Sequence, residues 1–456
     1  MYRKLLTASI ALLCSGSLLA QPSTANTQPP ANTIGPNPQL AKPNKQIIPT
    51  VHIAPAKGWP EGVRPVASSG LSVAPLATGL DHPRWVYVLP NGDVLVAESN
   101  APPRPEDGKG IKGKVMGAVM KRAGAGVPSA NRITLLRDAD GDGVAELRTT
   151  FLQGLNSPFG MALIGNNFYV ANADAIQRLP YVAGQSQITA PPTKVFDLPG
   201  GPLNHHWTKN IIASADGSKL YATVGSNSNV AENGMAAEEG RASIWEFDIA
   251  SGKGRLFATG LRNPNGMAWA GGKLWTVVNE RDEIGNDLVP DYLTSVTDGA
   301  FYGWPYSYYG QNVDVRVQPP APALVAKAVK PDFSLGSHVA PLGLASSEGA
   351  ALPAPFNAGF FIGQHGSWNR KPRTGYNVVF VPFDGNAMPT AQPVVVLSGF
   401  VSGDGDAYGR PVGVAIDKRG ALLVADDVGN VIWRVTSAAS GVQPAPATRP
   451  ASAASR

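Results

Sequence analysis

One unit recurs along this chain: a proline, an apolar strand, an Asn-Gly or Asp-Gly-type turn, and a second apolar strand. Pro83-Arg-Trp-Val-Tyr-Val-Leu-Pro-Asn-Gly-Asp-Val-Leu-Val-Ala97 sets the pattern. It returns as Pro158-Phe-Gly-Met-Ala-Leu163 with Phe168–Ala171, and as Pro264-Asn-Gly-Met-Ala-Trp269 with Leu274–Val278. Pro341-Leu-Gly-Leu-Ala345 with Gly359–Ile362, and Pro411-Val-Gly-Val-Ala-Ile416 with Ala421–Ala425, repeat it again. Ile211–Ala222 supplies a sixth unit with the same turn chemistry. The strands are short, rich in β-branched and aromatic residues, and the turns use Gly, Asn and Asp. No segment sustains a 3.6-residue apolar stripe over a normal helix length. The spacing, roughly 50 to 80 residues, is that of a propeller repeat enlarged by long loops. The fold expected is therefore all-β, a six-bladed β-propeller with four-stranded blades, because radial repetition protects sheet edges in a large β chain. A pair of β-sandwiches is the alternative. In a propeller, loops distant in sequence converge on one face of a central channel.

Composition agrees with this and excludes other classes. The chain has 456 residues, 43% of them hydrophobic, enough for a substantial core, and its 51 Gly and 41 Pro suit turns better than helices. Charged residues make up only 16%, and much of the net +5 lies in the leader, the tails and one loop, so nucleic-acid binding is not expected. Arg3 and Lys4 precede an apolar run from Leu5 to Leu19 with a plausible cut after Ala20. Residues 1–20 thus read as a signal peptide, too short for an integral membrane span, and predict a periplasmic or secreted protein. Cys14, the single cysteine, falls in this leader, and the bulky Leu13 before it argues against a lipoprotein. The mature chain would hold no disulfide and no haem-attachment motif. Residues 21–60 are Pro/Ala-rich and read as a flexible linker or an extended strap, 61–437 as the propeller, and 438–456 as a disordered tail.

Candidate chemistry sits in a few loops. Asn204-His205-His206-Trp207-Thr208 places two of only six histidines side by side before a strand. A histidine titrates near neutrality, so His206 is a candidate general base, with His205 either orienting it or replacing it; a structural role is the alternative. Gly260-Leu261-Arg262-Asn263-Pro264 offers a permanent cation that would hold developing negative charge, or else a turn with a solvated arginine. Arg410, opening the last repeat, would clamp an anion or cap a loop. Gln364-His365-Gly366-Ser367-Trp368-Asn369-Arg370 is dense in polar and aromatic groups for a mere connector. Asp138, Asp140, Asp142 and Glu146 alternate around glycines as a hard-cation oxygen cage would, unlike an EF-hand in spacing, and an acidic solvated turn is the alternative. Glu280, Arg281 and Asp282 lie in a second acid-rich loop that would lend oxygens to a metal or pair internally. The basic, glycine-rich insertion from about Pro102 to Asn131 has no assigned role.

Taken in order, the first blade, the histidine segment, Arg-Asn-Pro-x-Gly, Tyr302-Gly-Trp-Pro305 and Arg410-Pro-x-Gly-Val-Ala resemble the quinoprotein sugar dehydrogenases, especially the sorbosone/pyranose dehydrogenase propellers. The likeness covers roughly residues 70 to 436 and implies bound pyrroloquinoline quinone (PQQ) with Ca2+. It implies that His206 is the base that removes a sugar hydroxyl proton and that Arg262 stabilises the reduced quinone oxygen. Asn263, His205 and His365 would contact the cofactor, and Arg410 would pair with a cofactor carboxylate. Glu280, Arg281 and Asp282 occupy the segment whose backbone carbonyls hold the cofactor's calcium; the glucose enzyme has Gln-Gly-Pro there. The substrate would be a small sugar, and the electrons would pass to a separate acceptor, a cytochrome or the quinone pool. A calcium-dependent propeller lactonase and a non-catalytic glycan- or protein-binding propeller are the rival readings.

Overall fold

Proline and glycine punctuate the strands in a way that the structure explains. The computed structural model describes residues 27–44, 50–103 and 117–438; the leader with Cys14, most of the tail, and the middle of the 102–131 insertion lie outside the described residues. Six four-stranded antiparallel blades follow one another along the chain. Written innermost strand first, blade 1 is Pro83–Val88, Val94–Glu98, Arg132–Arg137 and Leu147–Leu152. Blade 2 is Met161–Ile164, Asn167–Ala171, Ala175–Pro180 and Thr193–Asp197, and blade 3 is Ile211–Ala213, Lys219–Val224, Ser243–Asp248 and Lys253–Thr259. Blade 4 comprises Asn263–Ala270, Lys273–Asn279, Pro290–Val296 and Phe333–Ser337, and blade 5 Pro341–Ser346, Gly359–Gln364, Asn377–Pro382 and Val394–Ser398. Blade 6 takes three strands from the end of the chain, Pro411–Ile416, Leu422–Asp426 and Val431–Ser437, and its outermost strand, Leu71–Ala77, from the beginning. Leu71 pairs with Ser437 and Val73 with Val435, so backbone hydrogen bonds close the ring. Val66–Ala67 adds a fifth strand to blade 5. The structure is the six-bladed β-propeller that the repeats predict, and no helix among the described residues is long and apolar enough to cross a membrane.

The glycine of each Pro-x-Gly repeat marks where one innermost strand meets the next blade. A Cβ on Gly266 would stand 2.6 Å from the amide nitrogen of Leu344 in blade 5, and one on Gly413 2.8 Å from the carbonyl oxygen of Arg84 in blade 1. At Gly160 and Gly343 it would collide with the backbone of Ile211 and of Val412. Only a residue without a side chain lets the backbones approach this closely.

Beyond these contacts, strand alternation sorts the core into six buried clusters, one for each pair of neighbouring blades. Along one strand of blade 4, Leu274 and Val278 face blade 3 while Trp275 and Val277 face blade 5. The period-two pattern, apolar on both faces, is what a blade packed on both sides requires.

The Pro/Ala-rich segment is a strap rather than a loose linker in its described parts. Gly35 bridges to Ser334, the Asn44 amide donates to the Ile284 carbonyl, and Ala56 bridges to Ala407. Ala54 is fully buried, and the Trp59 indole packs against Phe400 and Trp433 while donating to Asp426 at 2.7 Å. Composition alone conceals this, because backbone groups and two apolar side chains make most of the attachment.

Gly343→Ala should lower the unfolding free energy by about 1–3 kcal/mol, as overpacking does. Gly403→Ala, where an added Cβ meets nothing within 4 Å, should stay within about 0.5 kcal/mol of wild type. Urea unfolding of the two variants distinguishes them, and equal stability would contradict the close-approach explanation.

Candidate functional site

Segments of blades 1, 3, 4 and 5 converge on a cavity of about 290 Å³ at the mouth of the channel. Arg84 enters from blade 1, His205 to Thr208 lead into blade 3, and Arg262 with Asn263 open blade 4. Asn279, Glu280, Asp282, Asp291 and His338, with the loop from His365 to Asn369, complete the lining. Seven residues singled out from sequence, His205, His206, Arg262, Asn263, His365, Glu280 and Asp282, therefore meet in one place.

The His206 ring is fixed in one tautomer. Nδ1 lies 2.7 Å from the carbonyl oxygen of Ser226, which only accepts, so Nδ1 carries the hydrogen and Nε2 is the basic nitrogen. Ser226 Oγ stands 3.1 Å from the same Nδ1 and donates to the Ser228 carbonyl at 2.7 Å. Gly225 leaves the room this needs: a Cβ there would collide with His206 and with the Asn263 amide. His205 is tied differently, its backbone amide donating to Asn227 Oδ1 at 3.3 Å.

Arg262 is buried and anchored by oxygens of the protein itself. It donates to the Glu280 carbonyl at 2.7 Å, to the Asn229 carbonyl at 3.2 Å and to Asn229 Oδ1 at 3.1 Å, and stands 3.6 Å from Asp282. Its charge is thus held rigidly at the cavity wall. Arg281, by contrast, does not face the cavity. Its fully buried guanidinium pairs with Glu280 at 3.0 Å and Asp314 at 3.2 Å and donates to the carbonyls of Pro305 and Ser307. The carbonyls of Glu280 and Asp282 already accept hydrogen bonds from Arg262 and Arg316. A guanidinium beside each of these oxygens opposes a second cation there, so the backbone-carbonyl calcium site implied by the resemblance does not fit this segment.

Carboxylate chemistry on this wall comes instead from side chains. Asp282 accepts from Asn369 at 2.8 Å and lies 3.3 Å from His338 Nδ1, whose other nitrogen faces the Gly285 carbonyl at 3.2 Å. Both partners of His338 are acceptors. Burial alone would depress its pKa, but the hydrogen bond and charge of Asp282 outweigh this and hold it above the usual value. Asp291 accepts from the amides of Glu280 and Ala340, yet burial pushes its carboxyl up to about 7.

Asp427 organises a second group of polar side chains. His365 Nε2 approaches its Oδ2 at 2.9 Å and His82 at 3.6 Å, and Arg84 donates to the same oxygen. Burial favours the neutral acid, but the two histidines and Arg84 outweigh it and hold Asp427 ionised. Burial depresses both histidines despite Asp427 and takes His82 down to about 4. The Arg84 guanidinium also stacks 5.8 Å from the Trp207 ring centre.

Besides Arg281, two sequence candidates lie away from the cavity lining. Arg410 is buried over the Tyr376 ring at 4.9 Å and donates to the Ala54 carbonyl of the strap. Asp138, Asp140, Asp142 and Glu146 bring one ligand oxygen each within 4.8 Å of one another on the exposed edge of blade 1, where Arg419 reaches Asp138 at 2.9 Å. Sequence reasoning missed Arg84, Asn229, Asp291, His338 and Asp427. One signal was present: all six histidines of the chain gather here, with His205, His206, His338 and His365 in the lining, His82 behind it, and His52 on the loop at Arg370.

The TrAA12-like family model matches residues 126–295 and 324–438, more than half of the chain. The chain belongs to the TrAA12-like family. A PQQ-dependent pyranose dehydrogenase from Coprinopsis cinerea is 24% identical over 376 residues, which cover 73% of this chain and 46% of that protein. The iodide structure of the Trichoderma reesei Carbohydrate-Active Enzymes Family AA12 protein superposes with a TM-score of 0.65 at 19% identity, covering 85% of this chain and 99% of the other. The holo form of the Coprinopsis cinerea pyranose dehydrogenase PQQ domain gives 0.63 at 21% identity, with 84% and 100% covered. These two likenesses establish the shared fold.

Stability of this TrAA12-like protein should depend on His82. Its folded pKa lies below the ordinary 6.5, at about 4. The stabilisation is complete above 6.5 and is lost as pH falls toward 4, because the unfolded chain takes up the proton first; the loss is about 3 kcal/mol. His82→Asn, which tolerates the positive φ of 55° at this position, should flatten that decline in urea unfolding between pH 7 and pH 4.5. An unchanged slope would remove His82 as its cause.

Proposed function

We propose that this protein is a PQQ-dependent oxidoreductase that oxidises a CH–OH group of an aldose, a sorbosone-like sugar or another sugar aldehyde. The observation that carries this reading is His206, locked by Ser226 with Nε2 as its basic nitrogen, in the same cavity as buried Arg262. Membership of the TrAA12-like family and the similarity to a PQQ-dependent pyranose dehydrogenase support it.

The cavity residues suit an anionic planar quinone. Arg84 offers donors and positive charge to carboxylates, Trp207 and Trp368 offer flat apolar faces, and buried Arg84 Nε lacks a hydrogen-bond partner within the protein. Asn263 and His205 line the same space. When bound, PQQ supplies the two-electron acceptor for hydride leaving the sugar carbon. His206 Nε2 takes the hydroxyl proton, so that the carbonyl forms as the hydride departs. Arg262, its guanidinium fixed by Asn229 and Glu280, stabilises negative charge developing beside it without reorganising. Electrons would leave to a separate carrier, a cytochrome or the quinone pool, in a periplasmic or secreted setting.

Calcium is proposed at the Asp138, Asp140, Asp142 and Glu146 loop, where four carboxylates converge, as a structural ion of blade 1. Millimolar Ca2+ should raise the melting temperature, and Asp140→Asn should abolish that rise; an unchanged melting temperature in wild type would leave the loop an acidic turn.

Reconstitution with PQQ, followed by its absorbance change and dye reduction with a panel of aldoses, tests the activity. His206→Ala should lower kcat by about 10²–10⁴-fold while PQQ still binds. Arg84→Gln should instead weaken PQQ binding about tenfold or more. Folded wild-type protein that neither perturbs the quinone spectrum nor reduces dye with any aldose would overturn the proposal.

A further inference from the structure

Behind the histidine segment lies a lysine with no access to solvent, Lys209. Its Nζ donates to the carbonyl oxygen of His206 at 3.2 Å, to that of Trp207 at 3.4 Å and to Asn204 Oδ1 at 3.2 Å. Three oxygens therefore converge on one amine, two of them the main-chain groups of the candidate base and its neighbour. Asn204 is itself held, donating to the Ala173 carbonyl at 3.0 Å and accepting from Arg241 at 3.1 Å. The chain around Lys209 is anchored as well. Its own carbonyl accepts from Gly160 of blade 2, and Thr208 Oγ1 accepts from Asn265 of blade 4.

The cost of burying an amine makes this arrangement informative. Burial, with the nearby Arg241 guanidinium, pulls the Lys209 pKa well below the usual value, and the charge of Asp174 only partly opposes this. An apolar side chain would fill the same space without that penalty. What an apolar side chain cannot do is donate to the His206 and Trp207 carbonyls, which belong to a segment outside any strand.

We propose that Lys209 is a positioning residue for His206. It fixes the main chain of the base from behind while Ser226 fixes the ring from the side. The imidazole is then set by two independent clamps, one on Nδ1 and one on the peptide. The assignment of catalysis to His206 rests on the proposed function, but the geometric claim does not.

The test uses the full chain labelled with 15N-histidine, whose six histidines keep the spectrum tractable, with His206→Ala assigning the resonance. In wild type the His206 Nδ1–H should exchange slowly. In Lys209→Met it should exchange markedly faster, kcat should fall about ten- to a hundred-fold, and KM and PQQ affinity should stay at wild-type values. Lys209→Gln, which keeps donors, should give an intermediate exchange rate and restore part of kcat. It carries the measurement alone if the Met variant does not fold. A His206 resonance identical to wild type in the folded variant would overturn the proposal, as would equal losses in Met and Gln variants. Should wild type fail to bind PQQ, the dehydrogenase reading falls, while the exchange measurement still decides the role of Lys209.

Discussion

Everything at the mouth of this protein depends on how closely six innermost strands can approach. At Gly160, Gly266, Gly343 and Gly413 the neighbouring backbone lies where a Cβ would be, so the ring is narrow because those positions lack side chains. Residues just before or at the start of these strands, Arg84, Asn263 and Arg410 among them, are thereby carried to one end of the channel. The strap then crosses that end: His52 donates from its amide to the Trp368 carbonyl, and Arg410 to the Ala54 carbonyl. Closure by Leu71–Ala77 makes the arrangement a ring in which no blade shifts without disturbing two apolar clusters.

At the cavity, charged and titratable groups form two paired clusters. Asp282, Asp291 and Glu280 lie with His338 in one, while Arg84 and His365 meet at Asp427 in the other. Isolated charges at this depth would be strongly penalised, and each is accordingly paired or hydrogen-bonded. Arg262, tied to the Glu280 carbonyl and near Asp282, belongs to the first of these clusters.

How much of this was legible in the sequence depended on whether a feature repeats. Pro-x-Gly followed by an apolar strand recurs, and the propeller follows from it. His206 and Arg262 were legible because a doublet of a scarce residue and an Arg-Asn-Pro-x-Gly segment both stand directly before strands. Asp427, Asp291 and His338 are single residues with no local pattern, and their roles arise only when loops far apart in sequence meet. Arg281 shows the limit most clearly. Its neighbours Glu280 and Asp282 made the segment read as a metal loop, but its side chain turns inward to Asp314, a partner 33 residues away that no spacing rule suggests. The strap was ambiguous for a related reason, since its attachments use backbone groups that composition does not reveal.

A base on an irregular loop poses a problem that a base on a strand does not. Asn204 to Asn210 lie outside any strand, so no ladder of hydrogen bonds fixes the peptide that carries His206. Loops are ordinarily the most mobile part of a fold, whereas proton transfer requires an acceptor held in place. The protein resolves this by importing order from neighbours: Ser226 after a strand of blade 3, Asn265 from blade 4, Gly160 from blade 2, and Lys209 from the loop itself. Three of these belong to elements whose positions the ring already fixes. The precision of the histidine is therefore inherited from the same close packing of innermost strands that the glycines permit.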